Sequence, residues 1–286
     1  MLKCVEAISE GKLRMQKRVP IGPFDEASTN VKKMLLIVLV IVATGCRSSE
    51  SDEAEDVPVG DQIPSAGAPY QRIKRSAPRQ AAVRMQHFNY LKQIGIAVFS
   101  FHEIHEQFPL GDKGMTKYQN GEPLLSWRVH LLPYLDQNPL YEKFKLDEPW
   151  DSPHNIQLLD EIPDVYKSLD YQGLGNKTNV VGLSGAGAVF NPDRALGIRH
   201  ITDGTTQTVL VIMAGPDKAV PWTQPIDLHY DMANVSQSLG DVGDSFLALF
   251  CDGSVQRIRS KIDPKTLIRL FQYDDGETID FEKVFH

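Results

Sequence analysis

The sequence is poor in cysteine, in basic charge and in long apolar runs, and each shortage excludes a class of protein. Three cysteines in 286 residues provide no disulfide framework, so the fold must rest on an apolar core. Lys and Arg number 30 against 37 Asp and Glu, which argues against binding to nucleic acid, because its phosphates attract basic surfaces. The apolar run at residues 34–43 is shorter than the ~20 residues that a membrane-spanning helix needs.

The sequence also lacks a complete catalytic motif. Ser184 lies in Gly-Leu-Ser-Gly-Ala, but a nucleophile elbow requires glycine at the position of Ala186. His102 and His105 are three residues apart, whereas a zinc-protease helix carries its histidines four apart. We therefore expect no enzymatic activity, no bound metal and no cofactor. The alternative is a secreted metal-dependent hydrolase that uses both histidines with a carboxylate from the sheet.

Residues 34–46 have the pattern of an export signal. They read MLLIVLVIVATGC and follow Lys32 and Lys33, so a positive flank precedes a short apolar core and small residues. This order is typical of a secretory signal peptide. Because such signals begin close to their lysines, we expect translation to start at Val31 and residues 1–30 to be a mis-annotated start.

The segment 31–45 resembles a bacterial lipoprotein signal peptide, because Cys46 directly follows Ala-Thr-Gly. The resemblance implies cleavage between Gly45 and Cys46 and lipidation of the Cys46 thiol, for example with palmitate. The mature chain would then be anchored to a membrane of the cell envelope and face out of the cytoplasm. Arg47, in place of an aspartate after the cysteine, favours the outer membrane by analogy with other lipoproteins.

Residues 46–80 predict a flexible tether. An acidic block at 50–56 and a basic block at 72–79 are separated by prolines and show no apolar periodicity. Removal of residues 1–46 would leave 23 basic and 33 acidic residues, so the exported part would be more acidic than the whole chain. We place the folded domain at residues 81–286.

The domain has one helical and several strand-like patterns. Apolar residues recur every three or four positions from about 81 to 107, which predicts one long amphipathic helix. Residues 208–213 predict a strand, and 246–259 predict two strands joined by a turn at Asp252-Gly253 with positive φ at both residues. The helical stripe consists of Met85, Phe88, Leu91, Ile94, Val98, Phe101 and His105.

The middle and the end of the domain combine short elements with long loops. Residues 126–135 predict a short helix or turn around Pro133, and Val180-Val181 and 188–190 predict short strands. Asp263 and Pro264 predict the start of a final helix. The fold class is therefore α+β, with the long N-terminal helix packed on an antiparallel sheet.

Several motifs in this order resemble a large bacterial envelope family of unknown function, which carries a prepilin-type H-x9-DG signature and is catalogued as solute-binding family 10. The resemblance covers roughly residues 82–277 and implies a pilin- or pseudopilin-like fold. The motifs are NYLKQIGIAVFSFHEIHEQFP (89–109), SWRVHLLPYLDQ (126–137), EPWDSPHN (148–155), ITDGTTQTVLV (201–211), AVPWTQPIDL (219–228) and FLALFCDGSV (246–255). The motif residues are Trp127, Pro133, Trp150, Asp203, Gly204, Trp222, Asp252 and Gly253.

The chain departs from the family pattern at three points. It has a lipoprotein-like signal where typical members have a prepilin site and a hydrophobic half-helix, which argues against filament assembly. Val242 stands where the signature histidine is expected, and Met213 stands where a glutamate is usual. We therefore expect a non-enzymatic envelope protein that contacts unknown envelope proteins or the wall.

Two binding roles remain open at this point. Tryptophans in proline-bearing motifs can stack on sugars, which leaves a solute- or glycan-binding module as an alternative, or they can pack onto the core. Oxygen-rich turns at 203–206, 241–244 and 274–277 leave calcium open, although none has EF-hand spacing and ordinary turn chemistry explains them.

Overall fold

The computed structural model describes residues 70–109, 118–119, 122–190 and 196–285. The predicted signal peptide, the cleavage site at Gly45, lipidation at Cys46 and most of the tether lie outside the described residues. No helix within these ranges is long and apolar enough to cross a membrane. The folded part begins before residue 81, because strand β1 (Gln71–Arg72) pairs with β4 (Tyr171–Gln172).

The long helix α1 spans Ala77–His105. Pro78 lies in its first turn, where a missing N–H costs nothing, and the helix ends where Glu106 adopts a left-handed φ of 57°. Its buried face consists of His87, Leu91, Ile94, Gly95, Ala97, Val98 and Phe101. The predicted helix and most of its stripe are confirmed.

Met85 is the exception to the predicted stripe. Its side chain is 60% exposed, whereas His87 nearby is buried. Met85 lines a cavity beside the sheet, together with Arg84 and Phe88. Apolar periodicity therefore predicted the helix. It could not predict that only the part of the helix after its first two turns packs against the core.

A five-stranded sheet forms the centre of the domain, in the order β11-β10-β7-β6-β9. All pairings in it are antiparallel except β6 with β9, which is parallel and lies at the edge. The predicted antiparallel sheet is thus confirmed in its main part. The strands are β6 (Val180–Ser184), β7 (Val209–Met213), β9 (Leu228–His229), β10 (Ser245–Phe250) and β11 (Val255–Arg259).

Both faces of this sheet are covered. Leu249 and Cys251 pack with α1 in one core cluster, whereas Ala248 and Phe250 pack with the C-terminal helix in another. This alternation along β10 follows from the two-residue period of a strand. All five residues of β7 are buried, as expected for a central strand covered on both sides.

The C-terminal helix α5 (Pro264–Phe271) supplies the second cover. Asp263 caps it by accepting a hydrogen bond from the Thr266 N–H, as the sequence predicts. Leu267, Leu270 and Phe271 are fully buried against the sheet. The domain is α+β with a layer of helix on each side of the sheet.

The β10–β11 turn differs from the prediction. Gly253 has a φ of 80°, but among the described residues the only non-glycine positive φ values belong to Glu106 and Asp136, so Asp252 has negative φ. The Gly253 N–H donates to the Phe250 carbonyl and the Phe250 N–H to the Ser254 carbonyl. This is a three-residue loop with glycine in the left-handed position, rather than a two-residue turn.

The remaining elements are short. Residues 126–135 form a helix and a 3₁₀ turn as predicted, but 188–190 are buried without strand pairing. The short elements are β2 (Tyr118–Gln119), β3 (Glu122–Pro123), β5 (Lys177–Thr178), β8 (Val220–Pro221), α2 (Trp127–His130), α3 (Asn138–Tyr141), α4 (Val235–Ser238) and 3₁₀ turns at Leu132–Leu135, Asn155–Glu161, Asp164–Tyr166, Ile198–His200, Pro216–Lys218 and Phe281–Lys283.

Candidate functional site

The motif around Trp127 builds a buried polar cluster. Ser126 begins helix α2 by accepting a hydrogen bond from the Arg128 N–H, which turns Trp127 and Arg128 into the interior. Both side chains are fully buried, and the guanidinium carbon of Arg128 lies 4.7 Å from the centre of the Trp127 ring. A fully buried arginine requires a set of acceptors.

Asp227 supplies the opposite charge. Its Oδ1 accepts hydrogen bonds from Trp127 Nε1 at 2.9 Å, from the Gly182 N–H at 2.9 Å and from Arg128 Nη2 at 3.3 Å. Arg128 also donates from Nε to the Val180 carbonyl and from Nη1 to Ser126 Oγ. Burial lowers the pKa of Arg128, and the Asp227 carboxylate opposes that shift.

Trp222 joins the same core from another motif. Its Nε1 donates to the Leu159 carbonyl at 2.9 Å, and its ring stacks on Tyr166 at 6.2 Å. The Tyr166 hydroxyl in turn donates to the Arg128 carbonyl. Trp127 and Trp222 are thus core residues with satisfied N–H groups, and only Trp150 is partly accessible.

His102 and His105 each have a partner within the fold. His102 Nε2 accepts the Ile198 N–H at 3.0 Å, and burial is the main cause that lowers the pKa of His102. His105 Nε2 lies 3.1 Å from the Tyr134 hydroxyl. The described residues contain no group of three His, Cys, Asp or Glu side chains placed to hold a metal ion.

Two of the oxygen-rich turns meet, but through hydrogen bonds. Asp203 accepts the N–H groups of Asp275 at 2.7 Å and Gly276 at 2.9 Å. Burial is the main cause that raises the pKa of Asp275, and the negative charge of the nearby Asp203 acts in the same direction. The Asp203 carboxylate therefore closes a loop, which is the turn chemistry that the sequence offered as the alternative to calcium.

The structure distributes the predicted motif residues over several separate places. Trp127 and Trp222 share the buried cluster, while Asp203 and Gly204 lie at the loop near Asp275. Gly253 lies against α1 and accepts a hydrogen bond from Lys92 Nζ. The other motif residues are Pro133 in a 3₁₀ turn, Trp150 at a loop and Asp252 in the hairpin.

Arg128, Asp227 and Tyr166 hold the buried cluster together, but the sequence did not predict a role for them. One signal was present: a charged residue inside the otherwise apolar run Trp-Arg-Val-His-Leu-Leu has to be paired when the run is buried. The sequence also did not predict a cavity of about 340 Å³, and none of the tryptophans lines this cavity.

These features define an α+β domain in which two of the signature residues, Trp127 and Trp222, are buried in the core. Residues 76–164 match the model of a family described as "Protein of unknown function (DUF1559)", which is the family that the motifs indicated. The matched part includes the first three motifs. No curated protein and no solved structure matches the chain significantly.

Proposed function

We propose that the chain is a non-enzymatic lipoprotein of the cell envelope, whose domain acts through contacts with other envelope proteins or the wall. The observation that carries the proposal is the run at 34–43 followed by Thr44-Gly45-Cys46. The domain supports a non-enzymatic role, since its buried Arg128–Asp227 pair and its helix histidines are engaged in internal hydrogen bonds. The lipid on Cys46 would be its link to the membrane.

The pilin-like interpretation is part of this proposal. A long helix packed on a mainly antiparallel sheet supports it. Helix α5 covers the opposite face of the sheet and is an addition to the pilin-like arrangement of one long helix on an antiparallel sheet. Because the sequence predicts a lipid anchor in place of an apolar half-helix, we propose a single anchored domain rather than a filament subunit.

Fractionation of cells that express wild type or Cys46→Ser tests the proposal. We expect wild type in the outer-membrane fraction and the variant outside that fraction, because the lipid is the proposed anchor. Cys251→Ser is the matched control, since Cys251 is buried in the domain and should leave fractionation unchanged. Equal fractionation of wild type and Cys46→Ser would contradict the anchor.

A solute-binding role is the second candidate, and the cavity beside α1 favours it. A binding site built on tryptophans that stack on sugars has little support, because Trp127 and Trp222 are fully buried. The cavity instead offers arginines and apolar side chains.

A further inference from the structure

The cavity lies between the first turns of α1, the β10–β11 hairpin and the segment around β4. Helix α1 contributes Arg84, Met85 and Phe88, and the hairpin contributes Leu247 and Arg257. Its volume of about 340 Å³ lies at the lower end of the range that small-molecule sites occupy, roughly 300–1,000 Å³. The space is large enough for a small organic ligand.

The charge of the lining is mainly positive. Arg72, Arg84 and Arg257 line the cavity, and Asp170 is the one carboxylate among the described residues of the lining. A concentration of guanidinium groups in a concave site attracts anions.

Among the described residues, Asp170 forms its ion pairs with Arg75 and His87 rather than with these three arginines. Its Oδ1 accepts a hydrogen bond from Gln80 at 3.0 Å and lies 3.7 Å from Nη1 of Arg75, which is outside the lining. Its Oδ2 lies 3.5 Å from Nδ1 of His87, whose Nε2 accepts the Leu169 N–H. Among the described residues, Arg84 forms no ion pair, and the guanidinium of Arg257 donates to the neutral Ser245 hydroxyl.

The rest of the lining is apolar or retains hydrogen-bonding capacity. Met85, Phe88 and Leu247 provide aliphatic and aromatic surface. Ser168 Oγ and Asn179 Oδ1 are buried and have no hydrogen-bond partner among the described residues. Buried polar atoms are normally paired, so a ligand or a retained water would complete this wall.

We propose that this cavity binds a small amphipathic organic anion. The negative group pairs with the guanidinium groups of Arg84 and Arg257, and the apolar part contacts Met85, Phe88 and Leu247. The inference deepens the second candidate function and is independent of the lipid anchor, because dye binding tests the cavity whereas fractionation tests the anchor.

Fluorescence titration with 8-anilinonaphthalene-1-sulfonate tests the proposal, since this probe joins a sulfonate to aromatic rings. We expect Arg84→Gln to raise its dissociation constant about tenfold in the full-length protein, the loss typical of one charge-assisted contact. Arg257→Gln should act in the same direction. Arg79→Gln is the matched control, because Arg79 is exposed on the same helix and does not line the cavity.

A neutral probe separates charge recognition from general apolar binding. N-phenyl-1-naphthylamine has the same rings without the sulfonate, and we expect Arg84→Gln to bind it as wild type does. The proposal is overturned if Arg84→Gln and Arg79→Gln bind the anionic probe equally, or if Arg84→Gln loses both probes to the same extent. Thermal unfolding of each variant identifies any misfolded protein, and Arg84 is exposed, so its replacement leaves the core intact.

Discussion

Arg128 and Asp227 form a buried ion pair inside the core. The two charges lie 3.3 Å apart, and the exposed fraction of the side chain is 0% for Arg128 and 9% for Asp227. Loss of one member of a buried pair leaves the other charge uncompensated, which costs far more than the pair contributes when intact. The same carboxylate also orients Trp127 and the Gly182 N–H.

We predict that Arg128→Met lowers the free energy of unfolding by about 3–5 kcal/mol, because it leaves the Asp227 carboxylate buried without its cation. Urea denaturation measures the change. Lys143→Met is the matched control, since it breaks the exposed Lys143–Glu161 pair and should cost less than about 1 kcal/mol. An equal decrease in the free energy of unfolding for the two variants would contradict a dependence of stability on the buried pair.

His130 makes the stability of the domain depend on pH. It is buried, and neither ring nitrogen has a hydrogen-bond partner among the described residues. Burial lowers its pKa from 6.5 to about 4. The unfolded chain therefore binds this proton more readily, so stability is complete above about pH 6.5 and falls as the pH decreases towards 4.

We predict that His130→Leu reduces the loss of unfolding free energy between pH 7 and pH 4 by up to about 3 kcal/mol. The reason is that leucine has no proton to gain. Urea denaturation across that range measures it. His87 and His102 also have lowered pKa values, so part of the dependence should remain. His229→Gln is the control, since His229 is exposed. An unchanged pH profile in His130→Leu would contradict the role of burial.

The contact between α1 and the β10–β11 hairpin fixes the long helix on the sheet. A Cβ on Gly95 would lie 2.9 Å from Leu249 Cδ1 and 3.7 Å from the Gly253 Cα. Lys92 Nζ donates to the Gly253 carbonyl at 3.1 Å beside this contact. Glycine at position 95 is thus explained by the close approach of helix and hairpin.

We predict that Gly95→Val lowers the free energy of unfolding by about 1–3 kcal/mol, because the added methyl groups overpack the contact with Leu249. Gln93→Val is the control: residue 93 is exposed on the same helix, where valine should cost less than about 1 kcal/mol. Thermal or urea unfolding compares the two. A cost for Gly95→Val no larger than that for Gln93→Val would contradict the tight contact, because helix propensity alone favours valine over glycine.

Elements with a strong local signal were predictable, and those set by distant partners were not. The periodicity of α1 and the Asp263-Pro264 start of α5 predicted both helices. The parallel edge strand β9 has only two residues, and its pairing with β6 depends on chain segments 45 residues apart. Residues 188–190 have the composition of a strand, but they are buried, and no strand in the described part of the chain pairs with them.

The whole domain encloses its sheet between α1 and the following loops on one side and α5 on the other. Motif spacing could not predict that Trp127 and Trp222 face inwards, because their burial depends on the segments from 140 to 166 that cover them. The cavity is equally invisible in sequence, since Arg84, Asn179 and Arg257 come from three separate segments. The sequence therefore predicted the signature residues but not their arrangement.

At the scale of the whole molecule, we propose that the chain is processed at Cys46 and held at a membrane by lipid. Intact-mass measurement of the wild-type protein and of Cys46→Ser, expressed in the native host, tests this most directly. We predict a mature wild-type protein that begins at Cys46 and carries the added mass of two or three acyl chains, and a variant without that mass. An unmodified wild-type protein that retains residues 1–45 would contradict the claim.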